Sequence, residues 1–190
     1  HTLPSADELI QAKAEVSKRE EVLRIAKESS SLPATTTDGY QVNCLANIGN
    51  VKEAEIAAKN GAEGVGLFRT EFMFLESKEA PTEEAQYEEY MAIDKALGHK
   101  PFVIRTLDAG GDKKIAYLTQ MHEDNPMLGV RGVRLCLANR ELFKTQLRAI
   151  LRTEAENVKV MIPMISKLSE YRAVKQMFEE IKTELNIKAN

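Results

Sequence analysis

The sequence predicts an α/β protein built on a parallel sheet, and three observations carry that reading. From Gln41 onward, strand-like runs alternate with helical stretches four times. The runs "VNCLANIG", "GVGLFRTE", "FVIRTLD" and "VKVMIPMI" are continuously apolar instead of alternating, as strands covered on both faces are. Glycines at Gly61 and Gly98 close the intervening helices, where a left-handed residue ends a helix without a Cβ penalty. Right-handed βαβ units of this kind build either a doubly wound sheet or a (β/α) barrel. A dinucleotide-type sheet is disfavoured, because "NIGNVKEAE" after the first strand holds a single glycine where the fingerprint needs three. A complete barrel takes eight strands in roughly 250 residues. Four are present, so the barrel reading is of half a barrel.

The elements follow in order. Residues 5–31 read as one helix, opened by a capping box of Ser5 and Glu8. Its apolar stripe of Leu9, Ala12, Val16, Leu23 and Ala26 is narrow and broken by Arg19, which suits a connector better than a core element. The turn formers of "SSSLPATTTDGYQ" end it. The first strand spans Val42 to Gly49 and the helix after it Val51 to Gly61. "GVGLFRTE" is the second strand, and the second helix starts at Pro81 and Thr82. Phe102 to Asp108 is the third strand, followed by a long stretch holding "LDAGGDKK" and "EDNPMLGVRGVR". A helix from Arg140 to Thr153, with Asn139 as N-cap, leads to the fourth strand, Val158 to Ile165. The last helix runs from Lys167 to Leu185 with Ser166 as its cap.

Composition excludes several classes. The chain has 190 residues, a net charge of -3 and a pI near 5.8, so no basic excess points to nucleic acid or to an anionic membrane surface. No apolar run approaches the roughly 20 residues of a membrane span. The N-terminus has no secretory pattern and no initiator Met, which fits a processed chain or a piece of a larger one. Cys44 and Cys136 sit in apolar contexts without C-x-x-C spacing and read as buried, reduced thiols of a cytosolic protein.

The chemistry gathers at the strand ends. The second strand closes on Arg69-Thr70-Glu71 and the third on Arg105-Thr106-Leu107-Asp108, then Gly110-Gly111-Asp112-Lys113. A further loop carries Arg131 between Gly129 and Gly132. In a parallel barrel the C-terminal strand ends share one face, where active sites collect, so Arg69 and Arg105 are expected to face a common mouth. Two adjacent guanidiniums repel, and burying each costs several kcal/mol unless an anion compensates. Their forked donors match a carboxylate or a phosphate, and tandem glycines allow the close backbone approach of an anion nest. The expected ligand is small and multiply anionic. The competing reading pairs such an arginine with a nearby carboxylate, Glu71 or Asp108. Arg134 is expected to cap or pair within its own helix, and Lys113 and Lys114 suit solvated loop charges as well as ligands.

"GAEGVGLFRTEFMFLE", "APTEEAQYEEY", "VIRTLDAGGDKKIAYL", "EDNPMLGVRGVRL", "TQLRAILRT" and "VKVMIPMI" resemble, in order, the motifs of the phosphoenolpyruvate-utilising enzyme family. The polar first helix and "LPATTTDGYQV" are most similar to its Enzyme I branch, from the bacterial sugar phosphotransferase system, over the dikinase and synthase branches. The resemblance implies a helical linker over 1–31 and the first half of a TIM-type barrel over 32–190. It implies phosphoenolpyruvate binding at the barrel mouth by Arg69, Arg105 and Arg131, with Asn47 lining it. It also implies phosphoryl transfer to an enzyme histidine and on to a histidine phosphocarrier protein, in a cytoplasmic homodimer. Mg2+ ligands and the proton-donating cysteine are expected beyond Asn190, and the phosphorylated histidine in a domain upstream of residue 1; none of His1, His99 or His122 matches the phosphorylated-histidine motif, nor Cys44 or Cys136 the catalytic-cysteine context. The chain alone is expected not to turn over. One alternative is a fragment of a pyruvate phosphate dikinase or phosphoenolpyruvate synthase, with the same site but a nucleotide or phosphate as acceptor; a non-enzymatic alternative is an assembly module that pairs its open edges with another half barrel or with itself.

Overall fold

The computed structural model describes residues 3–110, 115–118 and 123–187. Helix α1 (Ala6–Ser29) opens with the expected capping box: the Ser5 amide donates to Glu8 Oε2 at 2.7 Å, and the Glu8 amide to Ser5 Oγ at 3.3 Å. No residue of α1 is buried, so its apolar stripe has no partner among the described residues. A hairpin of β1 (Ala34–Thr35) and β2 (Gln41–Val42) follows, turning at Gly39 with φ +88°.

The remaining strands, β3 (Ala46–Ile48), β4 (Val65–Arg69), β5 (Phe102–Arg105) and β6 (Val158–Met161), form one sheet in that order, and every pair is parallel. No reversal of strand order interrupts it. A doubly wound sheet would place a switch point where the order reverses, and the described strands have none. Helices α2 (Val51–Lys59), α4 (Glu83–Leu97) and α6 (Arg140–Leu151) connect and cover the strands, and α7 (Leu168–Glu184) lies beside α6. Two short helices, α3 (Glu71–Glu76) and α5 (Val133–Ala138), sit where β4 ends and where the long stretch after β5 ends.

The caps show why these residues start and stop helices. Asn50 accepts from the Glu53 amide at 2.9 Å, and Thr82 from the Ala85 amide at 3.2 Å. Gly98 ends α4 at φ +67°, as read from the sequence. Asn139 is the N-cap residue of α6 as expected, but its side chain makes no capping hydrogen bond; its Nδ2 donates to the Leu135 carbonyl at 3.0 Å and ties down the end of α5 instead. Ser166 does not act as a side-chain cap either. The Glu170 carboxylate accepts from the Ser166 and Lys167 amides at 2.8 and 2.9 Å, and those two amides hold its pKa below the usual carboxylate range.

Among the described residues, one sheet face is covered by helices and the other only in part. Ile48, Phe68, Phe102 and Ile104 are buried under the helices, with Phe68 packed edge-on against Tyr90 at 6.0 Å. On the opposite face Leu67 and Val103 are half-buried, and Lys159 and Met161 are exposed. The expectation of strands covered on both faces therefore fails for this chain, and the pleat's alternation shows in the burial of β5 and β6. The first strand is also shorter than expected. Gln41 and Val42 belong to the hairpin, and Cys44 is exposed, its amide donating to Glu63 Oε2 at 2.6 Å. Only Cys136 is a buried thiol, and burial pushes its pKa up to about 12.

Candidate functional site

The site is built by a slip in β4. Ala46 pairs with Val65 but Asn47 with Leu67; Val65 pairs with Phe102 but Phe68 with Ile104. Relative to both neighbours, β4 carries one extra residue near Gly66, a β-bulge. A slip of one residue exchanges the faces of a strand. Val65 and Phe68, three apart, therefore both turn to the helices, while Arg69 takes the open face. There it pairs in register with Arg105 of β5, so the two arginines stand side by side at the C-terminal edge of the sheet.

Their surroundings differ. Arg105 Nη2 donates to Glu71 Oε1 at 2.6 Å, and its Nη1 lies 3.2 Å from Asp108 Oδ2. Arg131 donates to Asp108 Oδ1 through Nε at 3.3 Å and Nη2 at 3.0 Å, and through Nη1 to Met127 Sδ at 2.9 Å. Asp108 thus bridges two guanidiniums, and Glu71 and Asp108 are themselves buried. Arg69 makes no ion pair among the described residues. Its guanidinium lies 5.2 Å from the ring centroid of Phe72, and its buried Nε has no hydrogen-bond partner. The buried Nε of Arg105 and Oγ1 of Thr106 are likewise without partners at the same strand end. Among the described residues, Glu71 and Asp108 engage Arg105 and Arg131 and leave Arg69 without an ion pair.

A buried polar network holds the two strand ends together. Thr70 Oγ1 donates to the Arg105 carbonyl at 2.8 Å. Gln146 of α6 donates to Thr70 Oγ1 at 3.2 Å and to Tyr90 Oη at 3.4 Å, and accepts from the Leu107 amide at 2.9 Å. Tyr90 donates in turn to Gln86 Oε1 at 3.1 Å, and burial pushes its phenol above the ordinary range. Gln146 was findable in the sequence, because it lies on the apolar stripe of Phe143, Leu147 and Ile150, where a polar residue must find partners.

The other sequence-derived candidates divide. Asn47 reaches the same face through its pairing with Leu67, but it is exposed and makes no side-chain hydrogen bond among the described residues. Gly110 has the expected positive φ, +123°, yet a Cβ there would stand 2.6 Å from that of Arg131. Its missing side chain makes room for Arg131. Gly111, Asp112, Lys113 and Lys114 lie outside the described residues, as do His1 and His122. Arg134 does not pair within its own helix; its Nη1 donates to the carbonyls of Leu128 and Gly129 at 2.5 and 2.6 Å. His99 precedes β5, at the opposite end of the sheet, with Nδ1 2.6 Å from Asp94 Oδ2.

The family described as PEP-utilising enzyme, PEP-binding domain, matches residues 24–190. The chain belongs to that family. It is 43% identical over 185 residues to the phosphoenolpyruvate-protein phosphotransferase of Haemophilus influenzae, covering 97% of this chain and 32% of that protein. The corresponding protein of Enterococcus faecalis is 47% identical over 153 residues, 79% of this chain and 27% of the relative. The multiphosphoryl transfer protein of Xanthomonas campestris pv. campestris is 40% identical over 185 residues, 96% of this chain and 22% of the relative. The chain thus spans a third or less of the length of these relatives.

Proposed function

We propose that this chain is the phosphoenolpyruvate-gripping part of a phosphotransferase of the Enzyme I type. One observation carries the reading: among the described residues, register-paired Arg69 and Arg105 each hold a buried Nε without a hydrogen-bond partner at one sheet edge, and Arg69 has no carboxylate partner. Phosphoenolpyruvate offers a carboxylate and a phosphate on a three-carbon frame. Arg69 supplies free in-plane donors to one anionic group. Arg105 and Arg131, clamped by Glu71 and Asp108, are oriented before the ligand arrives and present their remaining donors without rearrangement. Phosphoryl transfer depends mainly on positioning and on neutralising charge, and these arginines do both. Asn47 lines the same face.

In this reading the sequential parallel sheet is the first half of a (β/α) barrel over 32–190, and residues 1–31 are its helical linker. The parent enzyme passes the phosphoryl group from phosphoenolpyruvate to its own histidine and on to a histidine phosphocarrier protein, as a cytoplasmic homodimer. The phosphotransferase names of the relatives favour this over the dikinase or synthase branch. Among the described residues no group of three or more His, Cys, Asp or Glu could hold a metal, and arginines engage both Glu71 and Asp108. These residues do not fit Mg2+, whose ligands are proposed to lie beyond Asn190. Among the described residues no helix is long and apolar enough to cross a membrane.

Isothermal titration of the chain with phosphoenolpyruvate at low salt tests the reading. Binding is expected, with Arg69→Ala and Arg105→Ala each weakening it at least tenfold, as loss of a charge-assisted hydrogen bond does. Equal heats for the variants and the parent chain would refute the assignment.

A further inference from the structure

The unpaired state of Arg69 raises a physical question. A guanidinium at the rim of a sheet needs something to fix it, or its rotamer entropy is spent at the moment of binding. Arg105 and Arg131 are fixed by carboxylates, which consume donors. Arg69 is fixed differently. Its guanidinium lies over the ring of Phe72, three residues on, at the second position of α3.

A ring face attracts a cation through its quadrupole and takes none of the N–H groups, which point outward in the guanidinium plane. The ring is itself held. A Cβ on Gly49, at the end of β3, would stand 2.7 Å from Phe72 Cδ2 and 3.1 Å from Cε2, so the ring edge is seated where Gly49 leaves room. The Gly49 amide is pinned in turn by Glu53 Oε2 at 2.7 Å. Three elements meet here: the end of β3 seats the ring, α3 supplies it, and the end of β4 supplies the cation. We propose that Phe72 is a positioning residue, aiming Arg69 at the bound anion while leaving its donors free. The proposal rests on the phosphoenolpyruvate reading above and adds a residue to it.

The test is a titration series with phosphoenolpyruvate on the 190-residue chain. Phe72→Leu is expected to weaken binding about 3- to 10-fold while the thermal midpoint moves little. Phe72→Tyr and Phe72→Trp, which keep a negative ring face, are expected to restore it. Replacing Phe72 with its mono-, tri- and pentafluoro analogues keeps the shape but drains the ring face, so affinity is expected to fall stepwise with fluorination. Gly49→Ala is expected to behave as Phe72→Leu does. A fluorination series without a trend, or Phe72→Leu at parental affinity while Arg69→Ala is impaired, overturns the positioning role alone. Arg69→Ala at parental affinity, or no binding by the parent chain, overturns the underlying reading.

Discussion

Arg69 and Arg105 hold register-paired positions, yet among the described residues one has no ion pair and the other is locked between carboxylates. That difference separates function from stability. Asp108 is buried and shared by Arg105 and Arg131, so Asp108→Asn leaves guanidiniums under-compensated and is expected to cost about 3 kcal/mol of unfolding free energy. Arg69→Ala removes no ion pair among the described residues and is expected to cost under about 1 kcal/mol. Urea unfolding of both variants checks the contrast; equal losses would mean that Arg69 is structural. The arginines themselves were legible, because "RTE" and "RTLD" repeat at equivalent strand ends. Which of them would be paired was not. Glu71 is two residues from Arg69 in the chain but bonds Arg105 on the next strand, because α3 starts at Glu71 and ends the strand alternation that spacing assumes. Phe72 went unread for the same reason, since a ring three positions on meets an arginine only if the chain turns there.

At the scale of elements, Gln146 joins α6 to the ends of β4 and β5. Gln146→Leu would leave the Leu107 amide buried and unsatisfied, at about 1–3 kcal/mol. Hydrogen exchange is expected to show lost protection at Leu107 in this variant, with α2 amides unchanged; retained protection at Leu107 would mean that the network does not brace the strand ends. Helices with strong caps, α1, α2 and α4, were legible nearly to the residue, because local chemistry decides them. The short helices α3 and α5 were not, since six residues carry little periodicity. The bulge in β4 was not legible either. It exists only in the pairing with β3 and β5, although Gly66 marks its place.

Among the described residues, α1 and the β1–β2 hairpin lead into a sequential parallel sheet that helices cover on one face, with β3 and β6 as its edge strands. The sequence announced the parallel βα rhythm; the half-covered sheet depends on which strands are present to pack against, which no local pattern records. This topology matters to function because neighbouring strands end at one rim, so residues 36 apart in the chain become register partners. We propose that this rim is one site, in which Arg69 and Arg105 grip the same anion. The most direct test is a phosphoenolpyruvate titration followed by the arginine Nε–H resonances in 15N-labelled protein. The Arg69 and Arg105 signals are expected to move together along one binding curve with a single Kd. Movement of only one, or two curves with different midpoints, would contradict the claim.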